Sequence, residues 1–170
     1  MRLHIGGEEI KEGWKILNIQ KKPGVDFIGD ITDLSQFEDE SIEEVYASHV
    51  LEHVSIINIQ KTFNGVHRIL KKGGRFYISV PNLESIAQVF LQLPEGRSKY
   101  DLMTLIYGAQ TDDYDFHYCG FWPNLLFSLL INAKFKKYKR EKFFNIFKDT
   151  SMNTFDGNIP ISLNVVAFKD

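Results

Sequence analysis

Apolar residues recur along the chain in two rhythms, and the shift between them marks its elements. Short β-rich runs bounded by turn signals predict strands. These are Leu3-His4-Ile5 before Gly6-Gly7, residues 14–19, residues 25–28 after Lys22-Pro23-Gly24, residues 42–47, and residues 75–80, which Pro81 stops. An alternating run at 135–143 predicts a sixth strand, and a continuous β-branched run at 161–168 a seventh. Between the later strands the spacing turns helical. Ile59, Phe63, Val66, Ile69 and Leu70 form one stripe, with Ser55 as N-cap and Gly73-Gly74 as the stop. Asn82 caps a helix carrying Leu83, Ile86, Val89 and Phe90, Ser98 caps another through Leu102 and Leu105, and Trp122-Pro123 opens a fourth.

Strands alternating with helices predict an α/β sheet, parallel wherever a crossover has room. The first half breaks this pattern. Residues 6–13 are too few for the dozen or more that a crossover usually takes, and Lys22-Pro23-Gly24 suits a hairpin as well as a thin crossover. If the sheet is parallel there, one face lacks its helices. Its apolar surface is then left for a second copy of the chain or for the C-terminal segments to cover.

Composition narrows the function classes. The 170 residues, 44% hydrophobic, predict one domain over 1–170. A formal charge of −2 argues against a nucleic-acid partner held by bulk electrostatics. The basic run of Lys134, Lys136, Lys137, Lys139, Arg140 and Lys142 alternates with Phe135, Tyr138 and Phe143, as the wet face of an edge strand does. Cys119 is the sole cysteine, which suits a reducing cytoplasm and a small buried side chain. The apolar-rich stretch at 121–133 is too short to span a bilayer, and no signal peptide is visible, so no membrane association is expected.

Several motifs carry candidate chemistry. Gly6-Gly7 after a short strand lets backbone approach a ligand closely, or simply makes a tight turn. His49-Val50-Leu51-Glu52-His53 spells H-x-x-E-H, which on one helix puts two histidines on a zinc-binding face. Here it begins at a predicted strand end, not mid-helix, and a protease would also need a third ligand and a groove for peptide. No metal is therefore expected, with Glu52 assigned to a helix face and His53 to a buried or capping role. Asp112, Asp113, Asp115 and His117, among Tyr114, Phe116 and Tyr118, make either a solvated loop or a functional one.

Tyr46-Ala47-Ser48-His49-Val50-Leu51-Glu52-His53, with the later Lys71-Lys72-Gly73-Gly74 turn into a strand ending Val80-Pro81-Asn82, resembles the middle of a class I S-adenosylmethionine-dependent methyltransferase. Nearly the whole chain follows that family's order, most like its type 11 subgroup. The resemblance implies a Rossmann-like sheet of about seven strands, the last antiparallel, with reduced helices in the N-terminal half. It implies S-adenosylmethionine as cofactor. Ile5, Gly6 and Gly7 match the loop around its methionine part. Asn18 and Ile19 stand where an acid binds the ribose hydroxyls, Asp30 and Ile31 where an acidic residue meets the adenine amine, and Ser48 and His49 face the donor methyl group.

Two positions depart from the family pattern. The glycine loop is shortened, and Asn132-Ala133-Lys134-Phe135 replaces an Ala-Gly-Phe turn, with Asn132 expected in the left-handed cap role. The implied reaction is methyl transfer to a small acceptor, a sugar or glycan precursor by analogy with the subgroup. His49 or His117 would serve as general base, and Tyr46, Tyr107 or Tyr118 would contact the sulfonium by cation–π attraction. The shortened loop and Asn18 also admit a non-catalytic binding or assembly module.

Overall fold

The computed structural model describes residues 1–155 and 159–170, the side chain of Arg97 excepted. Its main sheet has the order β3-β2-β1-β4-β5-β9-β6. The strands are β1 (Arg2–Ile5), β2 (Trp14–Asn18), β3 (Phe27–Ile28), β4 (Ile42–Ser48), β5 (Leu70–Pro81), β6 (Lys137–Glu141) and β9 (Ser162–Phe168). A two-stranded ribbon pairs β7 (Thr154–Phe155) with β8 (Ile159–Pro160). The first five strands run parallel, and β9 pairs antiparallel with both β5 and β6. The α/β sheet with its antiparallel last strand is as expected.

The early crossovers are thin, and no hairpin forms. Residues 6–13 return the chain to a strand parallel to the first. The next return is stitched at Asp26, whose carboxylate accepts from the Ile16 N–H at 2.8 Å and from Lys15 Nζ at 2.7 Å, while its own N–H donates to the Ile16 carbonyl. This ladder forces β3 to run with β2.

One face is covered by helices. Leu3, Ile5, Leu17, Val45, Ala47, Phe76, Ile78, Leu163 and Val165 alternate inward from the strands. They meet Ile59, Phe63, Val66 and Ile69 of α1 (Ile59–Ile69) and Leu126, Leu129 and Leu130 of α4 (Pro123–Asn132). The opposite face carries Trp14, Tyr46, Tyr77 and Val166, and Phe144, Ile146 and Phe147 lie over it. The chain's own segment between β6 and β9 thus supplies the cover that the thin half lacked. A helical pair, α2 (Leu83–Gln92) and α3 (Arg97–Tyr107), packs through Ile86, Val89 and Leu102 beside the sheet.

Four local expectations are corrected. The N-cap of α3 is Gly96 rather than Ser98. The first helix starts at Ile59 with Asn58 as N-cap, because Ile56 and Ile57 are exposed and the turn from Ser55 precedes it. It ends at Ile69, where Leu70 turns extended to pair with Ile42, so Gly73 serves a turn within the extended segment. At the end of α4 the left-handed residue is Lys134, not Asn132. The Lys134 N–H reaches the Ile131 carbonyl and the Phe135 N–H the Leu130 carbonyl, a Schellman closure made without glycine. The lysine-rich run forms edge strand β6, as expected, and pairs with Asp170 and Glu141.

Candidate functional site

The carboxyl ends of β1, β2, β3 and β4 open into a cleft of about 680 Å³, within the range of small-molecule sites. It lies where strand order reverses between β1 and β4, the usual ligand position in an open parallel sheet. Ile5, Gly6, Leu17, Asn18 and Ile19 form one wall, Gly29, Asp30 and Ile31 another, and His49, Val50 and His53 the floor. Residues 111–115 and Tyr118 close over it. Gly6 turns with φ +73°, and a Cβ there would come within 2.4 Å of Val50 Cγ2, so only glycine fits. Glu8, Asp30, Asp112, Asp113 and Asp115 set five carboxylates in the described lining against the ammonium of Lys22, which itself pairs with Glu8. Such a cleft favours a cationic ligand.

A smaller, mainly apolar cavity of about 190 Å³ adjoins it, with Pro81, Leu83, Ile86, Leu105, Ile106 and His117 among its walls. Tyr118 borders both spaces. At the seam, His49 follows β4 with φ +53°, and residues 51–53 form one 3-10 turn. His49 Nε2 lies 2.9 Å from Ser162 Oγ, and its Nδ1 lies 3.2 Å from Glu52 Oε1. The Glu52 side chain is 1% exposed. His53 and His117 meet edge to face with ring centres 4.8 Å apart. Burial holds the His117 imidazole below the usual histidine range, and the Glu52 carboxylate opposes that shift.

Residues 7–78 match the family described as a methyltransferase domain. Solved structures match over the length of the chain. A SAM-dependent methyltransferase from Archaeoglobus fulgidus has a TM-score of 0.61 at 17% identity, over 98% of this chain and 85% of that one. The match in the first half and the shared fold make the chain similar to SAM-dependent methyltransferases. A Thermotoga maritima protein, described as a SAM-dependent methyltransferase and possible histamine N-methyltransferase, gives 0.63 at 16% identity, over 99% and 81%. A SAM-dependent methyltransferase from Methanosarcina mazei gives 0.58 at 16%, over 98% and 91%. At such identities the likeness is one of fold. No curated protein matches the sequence.

Of the residues singled out from the sequence, Ile5, Gly6, Asn18, Ile19, Asp30, Ile31 and His49 all line the cleft. Gly7 does not. A Cβ on it would strike the His4 ring at 2.2 Å, so Gly7 packs against the sheet's second face, and its carbonyl accepts from Asn18 Nδ2 at 3.4 Å. Ser48 is also absent from the cleft lining and keeps its hydroxyl oxygen buried. Asn18 is 8% exposed, and its Oδ1 takes the Gln20 N–H at 2.9 Å, so its amide organises the loop as well as facing the cleft. Asp30 spends one oxygen on the Thr32 N–H.

Among the aromatic candidates, Tyr118 borders the cleft and Tyr107 the smaller cavity. Tyr46 lies on the opposite face, fully buried, donating to Asp149 Oδ2 at 2.8 Å, and it cannot touch a ligand in the cleft. His117 lines the apolar cavity, away from the main cleft. Glu52 sits on a buried 3-10 turn where a helix face was expected. Cys119 donates its thiol to the Leu51 and Val54 carbonyls, and burial pushes its pKa up to about 12, so it stays protonated. Sequence reasoning missed Glu8, Gln20, Lys22 and Thr111 in the lining. They come from loops with no periodic signal.

Proposed function

We propose that the chain is an S-adenosylmethionine-dependent methyltransferase acting on a small acceptor. The observation that carries this reading is the acidic cleft at the strand-order reversal, cradled by a position that only glycine fits. The Gly6 backbone would border the methionine part of the donor, Asn18 and Ile19 its ribose, Asp30 and Ile31 its adenine. Bound there, S-adenosylmethionine supplies an electrophilic methyl group on a cationic sulfur. The chain's own contribution is to hold acceptor and donor in attack geometry and to exclude water through residues 111–118.

His117, fixed by the Leu105 carbonyl at 3.1 Å, is placed to take the acceptor's proton, and His49, bonded to Ser162 and close to Glu52, lines the cleft. The adjoining cavity, walled by Leu83, Ile86, Leu105 and Ile106, suits an acceptor that presents C–H groups. The apolar face of a sugar ring meets that demand. Among the described residues no helix is long and apolar enough to cross a membrane.

One observation favours a second reading, a binding or assembly module. Asn18 replaces a charged ribose partner and already bonds Gln20 and Gly7. Calorimetric titration with S-adenosylmethionine and its demethylated product separates the two. Micromolar binding to the wild-type chain, weakened at least about tenfold by Gly6→Ala because of the clash and the positive φ, supports the enzyme. Silence at millimolar ligand rejects it.

A further inference from the structure

We propose that Glu52, His53 and His117 bind a divalent first-row transition-metal ion. Each offers one ligand atom, and these atoms lie within 4.8 Å of one another. Ligands held about 2.1 Å from one ion stand roughly 3.4 Å apart, so the three atoms need only draw somewhat closer to share one ion.

Three features show a built site. First, His53 Nδ1 and His117 Nδ1 each lie 3.1 Å from a backbone carbonyl, those of Phe116 and Leu105. A carbonyl only accepts, so both Nδ1 atoms carry the proton and both Nε2 atoms keep the free lone pair. Protein metal sites fix their histidines by the same arrangement. Second, the Glu52 side chain is 1% exposed, and neither carboxylate oxygen has a hydrogen-bond partner among the described residues. His49 Nδ1 comes within 3.2 Å of Oε1 but lacks hydrogen-bond alignment. A buried carboxylate left this way is costly unless a cation joins it. Third, the segment bearing His117 is fastened to the turn bearing the other two ligands. The Tyr118 and Cys119 N–H groups both donate to the Glu52 carbonyl, at 2.8 and 3.3 Å.

Two imidazoles and one carboxylate make a borderline donor set that suits zinc, cobalt or iron better than magnesium or calcium. With three protein ligands, the ion keeps a coordination position open. His53 lines the large cleft and His117 the apolar cavity, so the ion sits at their seam. Where the methyltransferase reading also holds, the ion takes the His117 lone pair, and His117 then no longer serves as the base. The metal site itself does not depend on that reading.

The test uses the full chain, stripped with chelator and titrated calorimetrically with zinc in the absence of any methyl donor. One ion per chain is expected, with binding weakened about 100-fold or more by His53→Ala or His117→Ala, and unchanged by His67→Gln. Cobalt should give d–d absorption bands that the two alanine variants lose. If those variants fail to fold, the wild-type chain still decides. Zinc should shield His53 and His117, but not His67, from diethylpyrocarbonate. Absence of stoichiometric binding, binding that survives both alanine substitutions, or no shielding overturns the site. Donor titration of the stripped protein is a separate readout, so either proposal can fail alone.

Discussion

The two faces of the central sheet are made by the same strands and covered by different means. On the helix side, aliphatic side chains from the strands meet α1 and α4, whose backbone groups are satisfied within each helix. On the other side, irregular chain lies over the strands, and its polar backbone needs partners. The strands provide them. Asn164 Nδ2 donates to the carbonyls of Lys142 and Ser151, both at 2.9 Å, and Ser162 Oγ donates to the Thr150 carbonyl at 3.1 Å. The Tyr46 hydroxyl donates to Asp149. A loop can replace a helix as cover, but the sheet must then point hydrogen-bonding side chains inward. This explains why a buried face carries tyrosine, asparagine, serine and histidine where aliphatics would pack.

Truncation on each face tests that contrast most severely. Phe63→Ala, in the fully buried helix side, should cost about 4 kcal/mol and lower the thermal midpoint by roughly 8–16 °C in calorimetry. Phe147→Ala should cost about 3 kcal/mol, because the loop can settle into the space. It should also speed amide exchange in residues 143–152 before the rest of the chain. Equal, global effects at both sites would refute the distinction.

Acid should attack the loop-covered face through His4. His4 is 5% exposed, packed against Phe147 at 4.0 Å and Tyr46 at 5.1 Å. Burial lowers its pKa to about 4, against weaker opposition from Asp149 and Glu9. The unfolded chain takes up this proton near pH 6.5, and the native chain does so only near pH 4. Between those values the unfolded state binds more protons. The contribution is therefore complete above pH 6.5 and drains by about 1.4 kcal/mol per unit as pH falls towards 4. Denaturant melts of wild type and His4→Phe across pH 4–7 should differ in slope, and parallel curves would exclude His4 as the cause. The smallest effect is expected from Asp149→Asn, which keeps an acceptor for Tyr46 but forfeits one bond, at about 1 kcal/mol in the same melts.

The sheet was largely legible because its strands announce themselves. Alternation and β-branching found the main ones, and the Trp122-Pro123 start of α4 held. The covering segment was not legible, since Phe144, Ile146 and Phe147 follow neither period. Nor was parallel pairing across residues 6–13, where the order is set by backbone ladders that composition does not reveal. At the site, strand ends gave the cleft-lining residues, whereas Gly7 and Ser48 were misplaced because one residue of drift flips a side chain to the other face. The role proposed for Glu52 depends on His117, 65 positions away and brought near by a loop.

The reversed direction of β9 has a practical corollary. It carries the chain from Pro81's partner Ser162 back to Phe168 beside Arg75, on the same rim as Met1 and Glu43. Both extremities of this sequence therefore emerge on the side remote from the cleft. A tether, purification handle or fused module attached at either one should leave the mouth of the cleft unobstructed, so the molecule can be immobilised by either terminus with its candidate site facing solution.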